Sequence, residues 1–409
     1  MISKPKVLMI VTLDTKAVEA GFIRQILESE GVDVVHLDAS IRVSIDPNVE
    51  ISPEAIAAAA GTTLQAVRDL RHEGKSQAVM TEGAVKCALE AHAKHPFSGI
   101  IGVGGSMGTS LGCVVMQAFP YGMPKVMVST MASGFTRPFV GAKDIIMVNP
   151  VCDIAGLNSI TRDVFRNAAI AVAAIARNYS PVRREPKPLI AMTTLSTTDS
   201  CTVRVRKLLE KKGFEVMVFH TLGTGGAAMD QIVTERDVAA VVDLSLVEIN
   251  DYLNNGLCSA GPDRAKAALA KGVPTIFAPG NADFMVAGPI DAAKQQFAGK
   301  RYHMHNAALT AVRADAPELE KLAQHMGSLI KDAKGPVTFF VPLKGFSHHD
   351  SPEGYLHDPS LPPVFAAAIR KALPEGVPVV EFDCHINDAE FADALVEQVM
   401  AFIGQRESV

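Results

Sequence analysis

KVLMIVTLDTKAVEAGFIRQILESEGVDVVHLD (residues 6–38) and PLIAMTTLSTTDSCTVRVRKLLEKKGFEVMVFH (residues 188–220) carry one pattern twice. Set at a constant offset of 182 (188 − 6), the two stretches of 33 residues align without a gap and share eight identities: Thr12/Thr194, Leu13/Leu195, Thr15/Thr197, Arg24/Arg206, Leu27/Leu209, Glu28/Glu210, Gly31/Gly213 and Val34/Val216. Each copy opens on an apolar run, passes through a threonine-rich loop and continues with helical periodicity. A glycine then precedes a second apolar run. That succession is the opening β-α-β of an α/β unit, and the glycine supplies the left-handed residue that ends a helix.

The alternation continues outward from both copies. GIIGV (99–103) and KVMVST (125–130) in the first half are continuous apolar runs, as are VAAVVDLSL (238–246), VPTIFAPG (273–280), VTFFVPL (337–343) and VPVVEFD (377–383) in the second. Runs without polar alternation are strands buried on both faces, the mark of a parallel sheet. Helical patterns lie between them, among them ISPEAIAAAAGTT with proline near its start and glycine past its end. The expected fold is α/β: two tandem Rossmann-like, doubly wound domains with mainly parallel sheets, related by the internal repeat. The expected domains are residues 1–182 and 183–409, parted in the proline- and charge-rich stretch NYSPVRREPKP (178–188).

At 409 residues the chain has length for two or three cores at roughly 100–200 residues each. Hydrophobic residues are 48%, tryptophan is absent and aromatics are 6%, so the cores are aliphatic. The net charge of −5 gives no basic footprint for nucleic acid. No apolar run approaches the ~18 residues of a membrane span, and MISKPKVLMIVTLD reads as a first strand rather than a leader. The six cysteines, Cys87, Cys113, Cys152, Cys201, Cys258 and Cys384, form no CxxC pair and read as reduced thiols of a cytoplasmic protein. Homo-oligomerisation is expected for so apolar an α/β chain.

Ligands of open α/β sheets bind beyond the strands' carboxyl ends, and those ends are rich in glycines and hydroxyls here. In GGSMGTS (104–110), Gly104, Gly105 and Gly108 let backbone N–H groups converge, while Ser106, Thr109 and Ser110 add hydroxyls. The following helix turns its positive end outward. The loop lacks the lysine of GxxxxGK[ST] and does not follow the first strand, so it is neither a P-loop nor the usual dinucleotide fingerprint. It cradles a phosphate or is a tight turn whose glycines only permit close packing. TLGTGG (221–226), with Gly223, Thr224, Gly225 and Gly226, is a second loop of the same kind. Asp14, Thr15 and Lys16 occupy the first polar loop. There Asp14 suits a magnesium ion and Lys16 suits phosphate charge, or the pair merely begins a helix.

The second half also gathers histidines in RYHMHN (301–306), GFSHHDSPEGYLHDP (345–359) and DCHIND (383–388). With no i, i+4 pair of the HExxH kind, they read as polar loops closing over a substrate, with His305, His348 and His385 as candidate acid–base groups. A metal-assisted hydrolase or isomerase built on the same loops is the alternative.

GVGGSMGTS, HTLGTGGAAMD, LCSAGPDR, HNAALTAVR, GFSHHDSPEGYLHDP and DCHINDAEFADAL, in this order along nearly the whole chain, resemble the family of the N-terminal ATP-binding domain of the tomato mosaic virus resistance protein. The resemblance implies two Rossmann-like subdomains and binding of ATP with Mg2+. The phosphates would fall to Gly104, Gly105, Ser106, Gly108, Thr109 and Ser110. It also implies a separate TIM-barrel-like protein partner, since plant members are fused to such a segment. Three functions are open on the sequence: ATP-dependent chemistry on a small anionic metabolite in a cleft between the domains, histidine- or metal-assisted catalysis, and a non-enzymatic, nucleotide-dependent partner-binding module. SPEGYLHDP is less glycine-rich than the family form, so the role of that loop does not carry over with the rest.

Overall fold

The long apolar runs of the first half form the parallel sheet that their lack of alternation predicts. In the computed structural model, which describes residues 4–42, 46, 49–134, 136–180 and 187–406, the first five strands are β1 (Lys6–Val11), β2 (Asp33–Asp38), β3 (Gly99–Gly104), β4 (Lys125–Ser129) and β5 (Ile146–Val148). They pair in the order β2-β1-β3-β4-β5, all parallel. β3 and β4 are buried throughout, and β1 everywhere but Lys6. Both faces are therefore covered. Helices Leu13–Ser29 and Ser159–Asn178 pack Ile23, Leu27, Phe165 and Val172 on one face. Helices Pro53–Ala59, Glu73–Lys94 and Ser106–Gln117 pack Ile56, Met80, Ala84 and Met116 on the other. Removing one such buried ring, as in Phe165→Ala, costs about 3–5 kcal/mol.

The second half repeats the plan and adds to it. β6 (Leu189–Thr194), β7 (Glu215–His220), β8 (Ala240–Ser245), β9 (Thr275–Gly280), β13 (Val337–Pro342) and β14 (Val379–Phe382) make a six-stranded parallel sheet, order β7-β6-β8-β9-β13-β14. β10 (Phe284–Ala287), β11 (Tyr302–Met304) and β12 (Thr310–Arg313) form an antiparallel ribbon, order β10-β12-β11. Counted within each half, the two parallel sheets follow the same order, 2-1-3-4-5, the second with one strand more. This is the doubly wound arrangement expected from sequence. The ribbon is a departure: RYHMHN reads as a loop because a three-residue strand shows no periodicity, and its pairing comes from β12.

The repeat is structural as well as textual. β2 and β7 occupy equivalent positions at the offset of 182. Gly31 and Gly213 both take positive φ, +79° and +94°. Lys16 (φ −130°, ψ 22°) and its counterpart Thr198 (φ −120°, ψ 14°) interrupt the helix start in the same way. Packing divides the chain into units of residues 1–184 and 185–409. The boundary expected between residues 182 and 183 lies outside the described residues. No described helix is long and apolar enough to cross a membrane.

Candidate functional site

In the first unit β1 connects to β2 on one side and β3 to β4 on the other, so the crevice beyond β1 and β3 is the topological switch point where such sheets hold ligands. The pairings Ile10↔Gly102 and Gly104↔Ser129 bring the ends of β1, β3 and β4 level there. After β1 the chain makes a tight turn, with Thr15 and Lys16 donating their amides to the Thr12 carbonyl at 3.2 and 3.0 Å. The turn is pinned from β2. Asp38 Oδ1 accepts the amides of Leu13 and Ser40, both at 3.0 Å, and Ser40 Oγ accepts the amide of Asp14 at 2.9 Å. Burial holds the Asp38 carboxyl above the usual range. Asp14 and Lys16 are half-buried and Thr15 is exposed. Asp14 Oδ2 accepts the Arg42 amide at 3.3 Å, while the Lys16 ammonium has no partner among the described residues.

After β3, Gly105 is the N-cap of the helix Ser106–Gln117 and offers no side chain to it. Ser106 and Met107 are exposed, Gly105 and Gly108 half-buried. The first-turn amides therefore open to solvent with the helix's positive end behind them. The seven-residue sequence divides by role. A Cβ at Gly104 would stand 2.8 Å from Gly108 Cα, so Gly104 serves close packing of strand on helix. Thr109 is fully buried, its Oγ1 2.6 Å from Ser129 Oγ, and ties the helix to β4 rather than facing a ligand. Gly105, Ser106 and Gly108 form the mouth, and Ser110 is half-buried behind it.

The equivalent edge of the second unit is filled by its own side chains. The amides of Gly223 and Gly226 do converge on an anion, but the anion is the Glu248 carboxylate, at 2.7 and 3.0 Å. Glu248 is fully buried and paired with Arg264 Nε at 2.9 Å, while Nη1 and Nη2 of Arg264 grip Asp243 at 2.7 and 2.8 Å. A Cβ at Gly226 would fall 1.8 Å from Arg264 Nε. The phosphate role expected for Gly223, Thr224, Gly225 and Gly226 is thus corrected: this loop's amides bind a glutamate of the chain, and Gly226 gives way to an arginine. The neighbouring hydroxyls are likewise spent internally. Thr193 Oγ1 donates to Asp243 (2.7 Å), Thr221 Oγ1 meets Ser245 Oγ (2.7 Å), and Ser245 Oγ donates to Asn281 Oδ1 (2.7 Å).

The three candidate histidines do not form one catalytic group. His385 has both ring nitrogens engaged by the main chain, Nε2 with the Ser347 carbonyl (3.0 Å) and Nδ1 with the Asn387 amide (3.2 Å), which holds the ring in a structural role. His305 and His348 are exposed. They border His349, whose pKa is pushed down to about 4, first by burial and then by His303, His348 and His305. The His303 ring lies 4.6 Å from that of His349 and stacks on Tyr355 at 4.8 Å. Among the described residues no group of three or more histidine, cysteine, aspartate or glutamate side chains is arranged to hold a metal ion. Sequence reading missed Asp243, Glu248 and Arg264. Their signal was charge set inside the apolar runs VVDLSLVEI and DRAKAALA, which burial tolerates only in pairs.

The "Uncharacterised protein family (UPF0261) N-terminal domain" matches residues 5–181, and the C-terminal domain of the same family matches residues 187–403. The chain belongs to this family. A UPF0261 protein of Clostridium tetani is 34% identical over 97% of this chain and 98% of its own length. The tomato (Solanum lycopersicum) ToMV resistance protein Tm-1(GCR237) is 29% identical over 97% of this chain, which spans 56% of that longer protein. Among solved structures, a Streptomyces sp. SF2575 glycosyltransferase complexed with thymidine diphosphate aligns over 99% of this chain and 100% of its own. Its identity is 11% and its TM-score 0.21, too slight a likeness to bear on function.

Proposed function

We propose that this protein binds ATP with Mg2+ at the switch point of its first unit. The observation that carries the reading is the uncapped, solvent-facing first turn of helix Ser106–Gln117 beside the pinned turn at Asp14, Thr15 and Lys16. Amides without acceptors at a helix N-terminus favour a phosphate. Gly105, Ser106 and Gly108 would hold the phosphates and Lys16 would neutralise them. Asp14, with one carboxylate oxygen taken by a backbone amide, suits the magnesium ion. The identity of the nucleotide comes from the family resemblance, not from this geometry. The protein's own contribution is positive potential and a loop already fixed by Asp38 and Ser40, so binding orders little. A small anionic metabolite as the ATP-dependent partner substrate, and a separate TIM-barrel-like protein partner, extend the same reading. Thermal-shift and calorimetric titration with ATP–Mg, ADP–Mg and NAD tests it. A saturable shift with ATP–Mg is expected, and no response to any of the three ends the nucleotide reading.

A further inference from the structure

The amino-terminal edge of the six-stranded sheet, away from the loops described above, holds a cavity that the nucleotide reading does not use. β14 is an edge strand of only four residues. Its pairing Phe340↔Val380 fixes which side chains share a face: Thr338, Phe340 and Val380 turn toward helix Ala389–Arg406, while Phe339 and Val379 turn to the other side. The helix packs Leu395, Val399 and Phe402 into one cluster with Met192, Val242 and Ile276 of the inner strands. The corner made by β13 and β14 stays open, and Val380 is 37% exposed. The opening is a cavity of about 540 Å³, a size within the roughly 300–1,000 Å³ of small-ligand sites.

The walls are apolar, and the polar groups that line them are not used by the fold. Ile330, Val377 and Phe402 supply apolar surface. Thr338 on β13 and half-buried Gln398, one turn before Phe402, line the same space, with Lys331 and Glu375 as its exposed charges. None of these four side chains makes a hydrogen bond or ion pair among the described residues. Thr338 is the telling one. It is only 4% exposed, and a hydroxyl so buried ordinarily has a partner. Its oxygen is not one of the sealed, partnerless atoms of the interior, so it opens on the cavity. Lys331 and Glu375 border one space without pairing with each other. Two opposite charges, two neutral hydrogen-bonding groups and an apolar wall complement a molecule with a carboxylate, an ammonium and an aliphatic chain. We propose that this cavity binds a neutral α-amino acid with an apolar side chain. Lys331 takes its carboxylate and Glu375 its ammonium, Thr338 and Gln398 hydrogen-bond the same head group, and the chain lies against Ile330, Val377 and Phe402. A dianion or a dication would meet one like charge, and a hydrocarbon would leave all four polar groups unanswered. The site stands on the second unit's own geometry and does not depend on nucleotide binding.

The test is calorimetric titration of the full chain with L-leucine, with isocaproate, which lacks the ammonium, with L-leucinamide, which lacks the carboxylate, and with glycine, which lacks the chain. Leucine is expected to bind saturably and each of the others at least tenfold more weakly, about 1.4 kcal/mol. Lys331→Ala and Glu375→Ala change exposed side chains and should leave the fold intact. Lys331→Ala should weaken leucine to the same extent and leave leucinamide as it was, whereas Glu375→Ala should weaken leucine and leave isocaproate as it was. Thr338→Val keeps the shape of the side chain and should weaken leucine without lowering the thermal midpoint. Gln398→Trp fills the cavity and should abolish binding. Absence of saturable leucine binding, isocaproate or leucinamide bound as tightly as leucine, or wild-type leucine affinity in both charge variants overturns the proposal. Leucine binding retained in Gln398→Trp places the amino acid elsewhere and also overturns it.

Discussion

Gly105→Asp should make the protein more stable and at the same time blind to nucleotide. Gly105 sits in extended backbone (φ −76°, ψ −160°) that any residue adopts, and a Cβ there meets only Thr130 Oγ1 at 3.9 Å. An aspartate at this N-cap accepts the first-turn amides itself. Replacing glycine by a good cap gains a few tenths of a kcal/mol, and a negative charge at a helix N-terminus adds about 0.3–1 kcal/mol. The ligand-free protein should gain about 0.5–1 kcal/mol, or about 1–4 °C in Tm at the ~2–4 °C per kcal/mol usual for a unit of this size. Wild type at 100 times its Kd for ATP–Mg should gain about 2.7 kcal/mol, about 5–11 °C. The variant should gain none of it, because the carboxylate occupies the amides and repels phosphate. Differential scanning calorimetry of both proteins with and without ATP–Mg reads both effects. A full ATP shift in Gly105→Asp would mean that phosphate binds elsewhere and would refute the assignment of the mouth.

Thr109→Val, which removes the buried hydroxyl contact with Ser129, should cost about 1 kcal/mol in urea unfolding and leave the ATP shift intact. Loss of the shift would return Thr109 to the binding set. Glu248→Ala strips Arg264 of one partner and leaves the Gly223 and Gly226 amides without their acceptor. A loss of about 3–5 kcal/mol is expected in denaturant melts, and a change below 1 kcal/mol would contradict the buried-pair description. Asp251 and Asp283 are each raised to about 7, chiefly by burial. The folded state therefore binds more protons than the unfolded chain between the ordinary carboxyl range and about 7. This contribution is fully present at low pH and is lost as pH rises through that window, at about 1.4 kcal/mol per pH unit per group. Urea midpoints at several pH values, with Asp251→Asn as the flattened control, check the sign. A second-unit midpoint that rises with pH would exclude it.

Much of the architecture was readable because the repeat copies a whole β-α-β unit. The buried strands GIIGV and VPTIFAPG also carry no alternation to confuse the period. Glycine loops were harder. GGSMGTS and TLGTGG share composition, yet one faces solvent and the other surrounds Glu248, a residue 25 positions beyond Gly223. Nothing in the loop itself encodes what its amides will meet. The histidines misled for a related reason. His385 looks like chemistry in DCHIND, but its two ring nitrogens are spent on the Ser347 carbonyl and the Asn387 amide, and no local pattern announces a contact 38 residues away.

Two sheets of one strand order on a single chain create a hazard while the polypeptide is still searching for its partners: β3 and β8 hold corresponding central places and could be exchanged. Asp243 on β8 guards against that. A β3 strand lodged in its stead would offer valine and glycine to Arg264, leaving Nη1 and Nη2 without the carboxylate they grip while Glu248 holds only Nε. The ion pair thus marks which copy is which, and a refolding assay of Asp243→Val should reveal more mispaired, aggregating product than its loss of stability alone accounts for.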